Sequence, residues 1–251
     1  MRGIVFNDLP RIPLHLDGDY DYLRRGPLVT ALHMAVVSLG LLIMRVYDFL
    51  LFGLRITGWK NRPWLGRSGA VVVCNHVHTL DCTMAAQVLW PKRQYFVTLQ
   101  SNLEMKGVRH FVRLLGGIPI PEDRELRRDF PEVLQQALRL GAVVPVYPEG
   151  DLEHYCGHLR PFKNTAFSTA WRAGVPVVPL CITYRRGRGL WRFKKKPCLT
   201  LHILPAVFPD PAAPKGPETV RMREAVLAEM RECFEKSLDT ARQCCYTVTV
   251  K

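Results

Sequence analysis

A histidine and an aspartate, separated by four residues, follow an apolar run near residue 75. Positions 70–81 read AVVVCNHVHTLD. An imidazole titrates near neutral pH and takes a proton from a hydroxyl group, so His76 suits a general base. Asp81 suits the acid that holds such an imidazole in one tautomer and stabilises its charged form. No serine or cysteine occupies a nucleophile elbow, so the pattern indicates a substrate that supplies its own hydroxyl.

The same positions also suit an ordinary polar loop. Ala70–Val73 is short, β-branched and apolar, which predicts a buried strand. Asn75 ends this run, and a helical pattern begins soon after it. In this interpretation Asp81 only caps the helix. The spacing of His76 and Asp81 by itself leaves both interpretations open.

Three later turns carry groups that suit substrate binding. Arg124 follows an apolar run, and arginine binds phosphate through two parallel hydrogen bonds. Glu149 and Gly150 come directly after a second buried strand, where a carboxylate can hydrogen-bond an acceptor's hydroxyl. Arg160 and Lys163 flank an aromatic residue and suit a phosphate, or the pyrophosphate of a large thioester donor. A solvated loop or a helix cap explains each turn as well.

The cysteine and histidine pattern bears on metals and on the compartment. His154, Cys156 and His158 lie within five residues, but no second ligand cluster has a matching spacing. We therefore predict no metal. The eight cysteines form no C-x-x-C pair, and Cys74 and Cys181 lie in apolar runs. Such residues are typical of buried, reduced thiols, which favours the cytosolic side of a membrane.

Strand and helix patterns alternate from residue 69 onward. Such alternation predicts an α/β fold with a mixed, mostly parallel sheet flanked by helices. A proline-rich linker is predicted at 208–217. The predicted strands are 70–73, 95–99, 116–120 (an edge strand or a turn), 142–147, 175–184 and 199–207, and the predicted helices are 82–90, 105–115, 129–140, 166–171 and 219–241.

The longest apolar stretch is 28–54. Its charge-free part, 28–44, barely reaches the minimum of about 17 residues that span a bilayer. Arg45 and Asp48 follow, and a single span would place both charges in lipid. We therefore expect a helix, or a helix hairpin, that lies in one face of the membrane, and we divide the chain into a membrane-associating segment, 1–64, and an α/β domain, 65–251. A true span and a buried core helix remain open. Interfacial anchors of the type that flank such helices are Arg24, Arg25, Arg55, Trp59, Lys60, Arg62 and Trp64.

Positive charge is the main signal for partners. The formal net charge is +13, which suits a phospholipid leaflet or nucleic acid. Seven cations surround two aromatic residues at 185–196, between two predicted strands. This loop suits a phospholipid surface or an acidic acyl carrier protein, although RNA binding and a plain solvated loop are also compatible with it.

Four short sequence blocks of this chain, taken together and in their order along it, resemble those of the 1-acylglycerol-3-phosphate acyltransferase family. The resemblance covers about residues 65–205. Asn75-His76 with Asp81 resembles the first block, and the third is Pro148-Glu149-Gly150. The second block is the run from Gly117 to Arg124, and the fourth is the proline-containing strand 175–180. Four blocks in the right order are far more specific than any one of them.

The resemblance implies a glycerol-3-phosphate acyltransferase-like fold and a fatty acyl transfer from acyl-CoA or acyl-ACP to a lysophospholipid. The expected acceptor is 1-acyl-sn-glycerol 3-phosphate, and the product is phosphatidic acid. His76 would be the base and Asp81 its partner, while Arg124 would contact the acceptor phosphate. No metal or redox cofactor is implied. The expected location is the cytoplasmic face of a membrane, attached monotopically or anchored by 28–54.

Two departures from the family pattern concern the acceptor. The third block continues with Asp151-Leu152-Glu153, where many members have Thr-Arg-Ser, so Arg160 or Lys163 would have to replace the missing arginine. Acidic residues also precede Arg124. Glycerol 3-phosphate, another lysolipid or an amino-lipid are therefore alternative acceptors, and a non-catalytic lipid-binding relative is a further alternative. Nucleic-acid binding is not expected, because it explains neither 28–54 nor the four blocks.

Overall fold

The structure is a computed structural model that describes residues 11–242, apart from 18, 63–67 and 108. The predicted domain boundary at 64/65 and the predicted anchor Trp64 lie outside the described residues. The strands are β1 (Arg55–Thr57), β2 (Ala70–Cys74), β3 (Phe96–Leu99), β4 (Gly117–Ile120), β5 (Val143–Val146), β6 (Val177–Arg185) and β7 (Cys198–Ile203). The α-helices are α1 (Pro27–Phe52), α2 (Asp81–Leu89), α3 (Gln100–Leu103), α4 (Arg109–Leu114), α5 (Arg124–Arg139), α6 (Thr165–Ala173) and α7 (Lys215–Arg242).

The strands form a mixed, mostly parallel sheet, as predicted. Its order is β1-β7-β6-β2-β5, and only the β6–β7 pair is antiparallel. The parallel pair β3–β4 extends this sheet, because Gln94 forms a bridge with Val143 at the start of β5. The parallel neighbours β5 and β6 therefore bring their carboxyl ends beside that of β2, and the residues that follow these strands share one edge of the sheet.

The central strands are buried on both faces. All five residues of β2 are buried, and so are the first eight residues of β6. Helices cover strands of this kind from both sides, which explains why they read as continuous apolar runs rather than alternating ones. Phe167 of α6 and Met222 of α7 are among the fully buried side chains of this core.

Helix α5 begins five residues earlier than the apolar pattern predicted. The carboxylate of Asp123 accepts hydrogen bonds from the backbone N–H groups of Glu125 and Leu126, at 2.8 and 3.1 Å. An aspartate in this position satisfies donors that the first helical turn leaves unpaired. The acidic residues before the apolar stripe therefore start the helix and do not form a longer loop.

Other elements also differ from the prediction. The helix predicted at 105–115 begins only at Arg109, and the short α3 before it was not predicted. Strand β7 ends at Ile203 rather than 207, since Val207 forms only an isolated bridge with Val177. Helix α7 begins at Lys215, inside the predicted linker. A proline within a first helical turn loses no intrahelical hydrogen bond, so Pro217 does not delay the start. The short β1 was not predicted, because three residues carry too little periodicity.

Helix α1 presents apolar side chains outward and polar ones inward. It is long and apolar enough to cross a membrane, with a mean hydropathy of 2.0, and only 6% of its most apolar window is buried. His33 and Asp48 are buried against the domain: His33 Nδ1 lies 2.7 Å from the Leu114 carbonyl oxygen beside α4. This polarity is the reverse of that of a soluble amphipathic helix, so the buried core helix is excluded. Large exposed side chains on α1 are Leu28, Leu32, Leu39, Leu42, Ile43, Val46, Tyr47, Phe49, Leu50 and Leu51.

The second inward contact joins α1 to α2. Asp48 Oδ2 accepts hydrogen bonds from Gln87 Nε2 at 2.7 Å and from Thr83 Oγ1 at 3.3 Å, while Asp48 Oδ1 is buried without a partner. Burial raises the pKa of Asp48 to about 6, although both hydrogen bonds oppose the rise. The helix that begins with Asp81 is thus tied to the membrane-associating helix by one carboxyl group.

We expect the Asp48 carboxyl to make folding pH-dependent. The folded protein keeps this proton up to a higher pH than the unfolded chain does, so the free energy of unfolding falls as pH rises from about 4 to about 6. Asp48→Asn should remove this component, and the variant should gain stability over wild type across that window. Chemical denaturation at several pH values measures it, with exposed Asp129→Asn as control. A difference between wild type and Asp48→Asn that is constant from pH 4 to 7 would contradict the expectation.

Candidate active site

Asn75 sets the turn that presents the histidine. Strand β2 ends at Cys74, and the buried Asn75 side chain then takes over the pairing with β6. Its Oδ1 accepts a hydrogen bond from the Ile182 N–H at 2.8 Å, and its Nδ2 donates to the Ile182 carbonyl at 2.9 Å. The amide imitates one more strand residue while the backbone turns away. The sequence identified Asn75 only as the end of a strand and missed this contact, which spans 107 positions of the chain.

The structure brings His76 and Asp81 into direct contact. His76 Nδ1 lies 2.7 Å from Asp81 Oδ2, and the same oxygen accepts hydrogen bonds from the N–H groups of Val77 and His78, at 3.1 and 3.3 Å. Asp81 has no exposed side-chain surface, whereas His76 is 22% exposed. Because a carboxylate only accepts, the proton lies on Nδ1, and Nε2 is left as the basic nitrogen.

The carboxylate of Asp81 does not act as a simple helix cap. Asp81 is the first residue of α2, and the groups that donate to its Oδ2 all lie in the preceding loop, not in the first helical turn. A carboxylate at this position is also stabilised by the positive end of the helix dipole. The pair therefore has the geometry that a general base and its orienting acid require, although these roles stay a prediction.

Glu149, which follows the neighbouring strand β5, accepts hydrogen bonds from the His76 loop and from Arg160. Its Oε2 accepts from the His76 backbone N–H at 3.2 Å and from Arg160 Nη2 at 2.7 Å, and its Oε1 accepts from the Arg160 N–H at 3.3 Å. Arg160 also donates to the Asp151 carbonyl. Glu149 is 2% exposed, so a buried carboxylate and a cation hold the His76 loop against the turn after β5. Substrate contact by Glu149 and Arg160 stays a prediction.

Lys163 lies over the glycine of the same turn. Gly150 has φ +92°, a conformation that favours glycine, and a Cβ there would collide with the Lys163 ammonium group. The Lys163 N–H donates to the Pro148 carbonyl at 2.9 Å. The exposed ammonium group makes no hydrogen bond or ion pair with any described residue, so it is available for a ligand.

Arg124 is the predicted site residue that stands apart from this cluster. It is exposed at the start of α5, and no contact within the described part of the chain joins it to His76, Asp81 or Glu149. Helix α5 follows β4, which lies beyond β5 at the far edge of the sheet. Its predicted contact with an acceptor phosphate stays a prediction.

The neighbouring histidines do not form a metal centre. Cys156 Sγ lies 3.5 Å from His158 Nδ1, whereas His154 packs edge-on against His78 with 5.6 Å between ring centroids. Within the described ranges, no group of three or more histidine, cysteine or acidic side chains is placed to hold a metal ion. Burial lowers the pKa of His78, and nearby His154 lowers it further. His78 is thus neutral at pH 7, with its Nδ1 accepting from the Leu80 N–H at 3.1 Å.

Tyr147 is a neighbour of the dyad that the sequence did not single out. It follows β5 directly, and its ring stacks on the His76 imidazole with 4.2 Å between centroids and 22° between planes. The only sequence signal was its place immediately before Pro148 and Glu149. The stacking arises because β5 pairs in parallel with β2, so that residues just past the two strand ends meet.

Comparisons with known proteins agree with this geometry. The family model described as Acyltransferase matches residues 54–183, about half of the chain. The 1-acyl-sn-glycerol-3-phosphate acyltransferase of Escherichia coli (strain K12) is 27% identical over 135 residues, which are 53% of this chain and 54% of that protein. This chain thus spans about half the length of that bacterial relative. The 1-acyl-sn-glycerol-3-phosphate acyltransferase alpha of Homo sapiens is 29% identical over 199 residues, 76% of this chain and 69% of that protein.

A solved structure shares the fold. The crystal structure of the 1-acyl-sn-glycerophosphate (LPA) acyltransferase PlsC from Thermotoga maritima superposes with a TM-score of 0.51 at 21% identity. The superposition covers 82% of this chain and 95% of that one. The predicted mixed sheet with flanking helices is therefore confirmed.

We expect Asn75→Ala to destabilise the protein by about 2–4 kcal/mol. The substitution leaves the buried N–H and C=O of Ile182 unpaired, and each unpaired group costs about 1–3 kcal/mol. Denaturant unfolding measures the loss. Thr79→Ala, on the exposed part of the same loop, is the matched control and should change stability by less than about 0.5 kcal/mol. Equal stability of the two variants would show that the Asn75–Ile182 pair does not hold the turn.

Proposed function

Because the chain belongs to the acyltransferase family, we propose that it moves a fatty acyl group from a thioester donor to the free hydroxyl of a lysophospholipid. The proposed acceptor is 1-acyl-sn-glycerol 3-phosphate, the substrate named for the E. coli and human relatives. The observation that carries the proposal is the 2.7 Å contact of His76 with Asp81 at the edge of the sheet. The tautomer of this histidine is fixed, and no serine or cysteine lies in a nucleophile elbow. The pair is therefore suited to deprotonating a hydroxyl group of the substrate.

The proposed chemistry begins at His76 Nε2, which takes the proton of the acceptor hydroxyl. The oxygen then attacks the thioester carbonyl, and the tetrahedral intermediate collapses with the thiolate as leaving group. The imidazolium returns its proton to that thiolate, so the imidazole is regenerated. Asp81 stabilises the imidazolium while it exists and keeps Nε2 directed at the substrate. Acyl-CoA and acyl carrier protein are the two proposed donors, and neither requires a metal or redox cofactor.

The contacts of Arg160 support a different cation as the proposed partner of the acceptor phosphate. Arg160 was one of two candidates to replace the missing third-block arginine, but its Nη2 already donates to Glu149 and to the Asp151 carbonyl, and only 17% of its side chain is exposed. Lys163 keeps its ammonium group exposed beside Gly150. We therefore assign the acceptor phosphate first to Lys163, with Arg124 as a second contact. Glycerol 3-phosphate, another lysolipid and an amino-lipid remain the alternative acceptors, and mass spectrometry of products from a panel of acceptors with both donors distinguishes them.

We expect His76→Ala to abolish acyl transfer and to leave membrane binding unchanged. Loss of a positioned general base typically costs 10²–10⁴-fold in rate. Radiolabelled acyl transfer to 1-acyl-sn-glycerol 3-phosphate measures the activity, and vesicle flotation measures the binding. His110→Ala, an exposed histidine on α4, is the matched control. Near-wild-type transfer by purified His76→Ala would rule out the assigned base.

The membrane surface in this proposal combines α1 with the loop between β6 and β7. Trp191 Nε1 donates to the Leu50 carbonyl at 2.8 Å, and its ring packs edge-on against Phe49 at 4.8 Å. Arg185 donates to the Gly53 carbonyl. The loop is thereby fixed to the end of α1, and it exposes Leu190 by 73% and Phe193 by 81%. Apolar and cationic side chains of this kind suit the headgroup level of an anionic leaflet.

A flat orientation of α1 suits these contacts better than a span. The helix is held to the domain both at His33 and at Asp48, so crossing the bilayer alone would break both contacts and place polar groups in lipid. An interfacial helix keeps them and buries its apolar outer face. The proposed location is the cytoplasmic leaflet, which the reduced cysteines support. Unbonded cysteines among the described residues are Cys74, Cys82, Cys156, Cys181, Cys198 and Cys233.

Reversal of charge in this loop is expected to release the protein from anionic vesicles. Replacing Lys194, Lys195 and Lys196 with glutamate should weaken binding by at least roughly a hundredfold, since each cation near such a surface contributes about 1 kcal/mol. Vesicle flotation with phosphatidylserine measures the effect.

Three exposed arginines on α5, α6 and α7 provide a control for net charge. Replacing the exposed Arg128, Arg172 and Arg231 with glutamate changes the total charge by the same amount. This triple variant should bind vesicles almost as wild type does. Equal binding by both triple variants and wild type would remove the loop from the interface.

A further inference from the structure

Two buried polar atoms beside the dyad lack hydrogen-bond partners and have complementary chemistry. The Tyr147 hydroxyl is one, and Asp81 Oδ1 is the other. A phenol O–H donates, and a carboxylate oxygen accepts. Asp81 Oδ2 accepts three hydrogen bonds, whereas Asp81 Oδ1 accepts none from the described residues. Leaving such a pair unmade costs desolvation free energy on both sides.

The phenol lies within reach of this carboxylate. Burial raises the pKa of the Tyr147 hydroxyl well above its usual range, and the negative charge of Asp81 raises it further. The hydroxyl therefore keeps its proton at physiological pH and stays a donor. The ring is meanwhile stacked on the His76 imidazole. The Tyr147 ring thus stacks on one member of the dyad, while its hydroxyl lies near enough to the other to feel its charge.

We propose that Tyr147 is the positioning residue of the dyad, with its ring fixing the plane of the His76 imidazole and its hydroxyl donating to Asp81 Oδ1. The role of the dyad as base and acid rests on the proposed function, whereas the contacts of Tyr147 do not. With a donor on each oxygen, Asp81 spreads its charge and holds the imidazolium less tightly than a singly bonded carboxylate would. The imidazole then releases its proton to the leaving thiolate.

Other titratable groups face the phenol from β2 and α2. They are the thiols of Cys74 and Cys82, and burial raises the pKa of both, that of Cys82 to about 11. Both thiols are neutral below pH 9. Among the groups that face the phenol in the described part of the chain, Asp81 is therefore the acceptor that carries negative charge.

The test compares Tyr147→Phe and Tyr147→Leu with wild type, with Tyr95→Phe as control. Tyr95 also has a buried hydroxyl, which donates to the Leu23 carbonyl away from the dyad. The titration of the His76 ring is followed by NMR in the full chain, in detergent and without substrate. Tyr147→Phe should move its midpoint upward by about half a pH unit, because the carboxylate then favours the imidazolium more strongly. Tyr95→Phe should leave it in place.

Kinetics supply the second readout. Tyr147→Phe should shift the acid limb of the pH–rate profile by the same amount as the NMR midpoint. Tyr147→Leu removes the stacked ring and should lower kcat by roughly a hundredfold with little change in KM, since misplacing a catalytic group by about 1 Å costs that much. Thermal unfolding of each variant reports whether the fold is kept.

Each result has a defined meaning. An unchanged His76 midpoint in Tyr147→Phe overturns the hydrogen bond to Asp81, and this variant keeps the ring and the packing. Wild-type kcat in Tyr147→Leu overturns the role of the ring. A shifted midpoint in a protein without acyl transfer supports the positioning role and rejects the proposed function, because the NMR titration needs no substrate.

Discussion

The buried carboxylate of Asp81 is the constraint on which the site depends. A charge without exposed surface is stable only when hydrogen-bond donors surround it. Its Oδ2 accepts from the His76 ring and from two backbone N–H groups of the loop, so one oxygen both stabilises the loop and orients the His76 ring. This arrangement is possible because β2 lies in parallel between β5 and β6. Glu149 and the hydrogen-bonded pair of Asn75 with Ile182 therefore lie at the same edge of the sheet as Asp81.

A second constraint is the arrangement of side chains on α1, which is the reverse of that on a soluble amphipathic helix. Its polar residues His33 and Asp48 point into the domain together with Phe52, whereas most of its large apolar residues are exposed. In water this arrangement exposes a large apolar surface at considerable cost, whereas at a lipid interface the same surface is stabilised. Because Asp48 binds α2, which starts with Asp81, the proposed lipid-facing helix is joined directly to the helix that carries one member of the proposed dyad.

Much of the fold was predictable because its strong signals are local. Continuous β-branched runs predicted β2 and β6, and apolar periodicity predicted α5 and α7. The misplaced boundaries have physical causes. Asp123 starts α5 with side-chain hydrogen bonds that apolar periodicity does not register, and β1 is ordered by its pairing with β7 rather than by its own sequence.

The sequence by itself determined the dyad, since four residues separate His76 from Asp81 and a strand-to-helix turn brings them together. It also determined the apolar helix and the basic loop, because composition alone reveals both. Only the tertiary structure decided that Arg160 donates to Glu149, that the Asn75 side chain pairs with Ile182, and that Tyr147 stacks on His76 near Asp81. These contacts join residues from different strands. Their partners are chosen by sheet register and burial, which no local pattern of residues encodes.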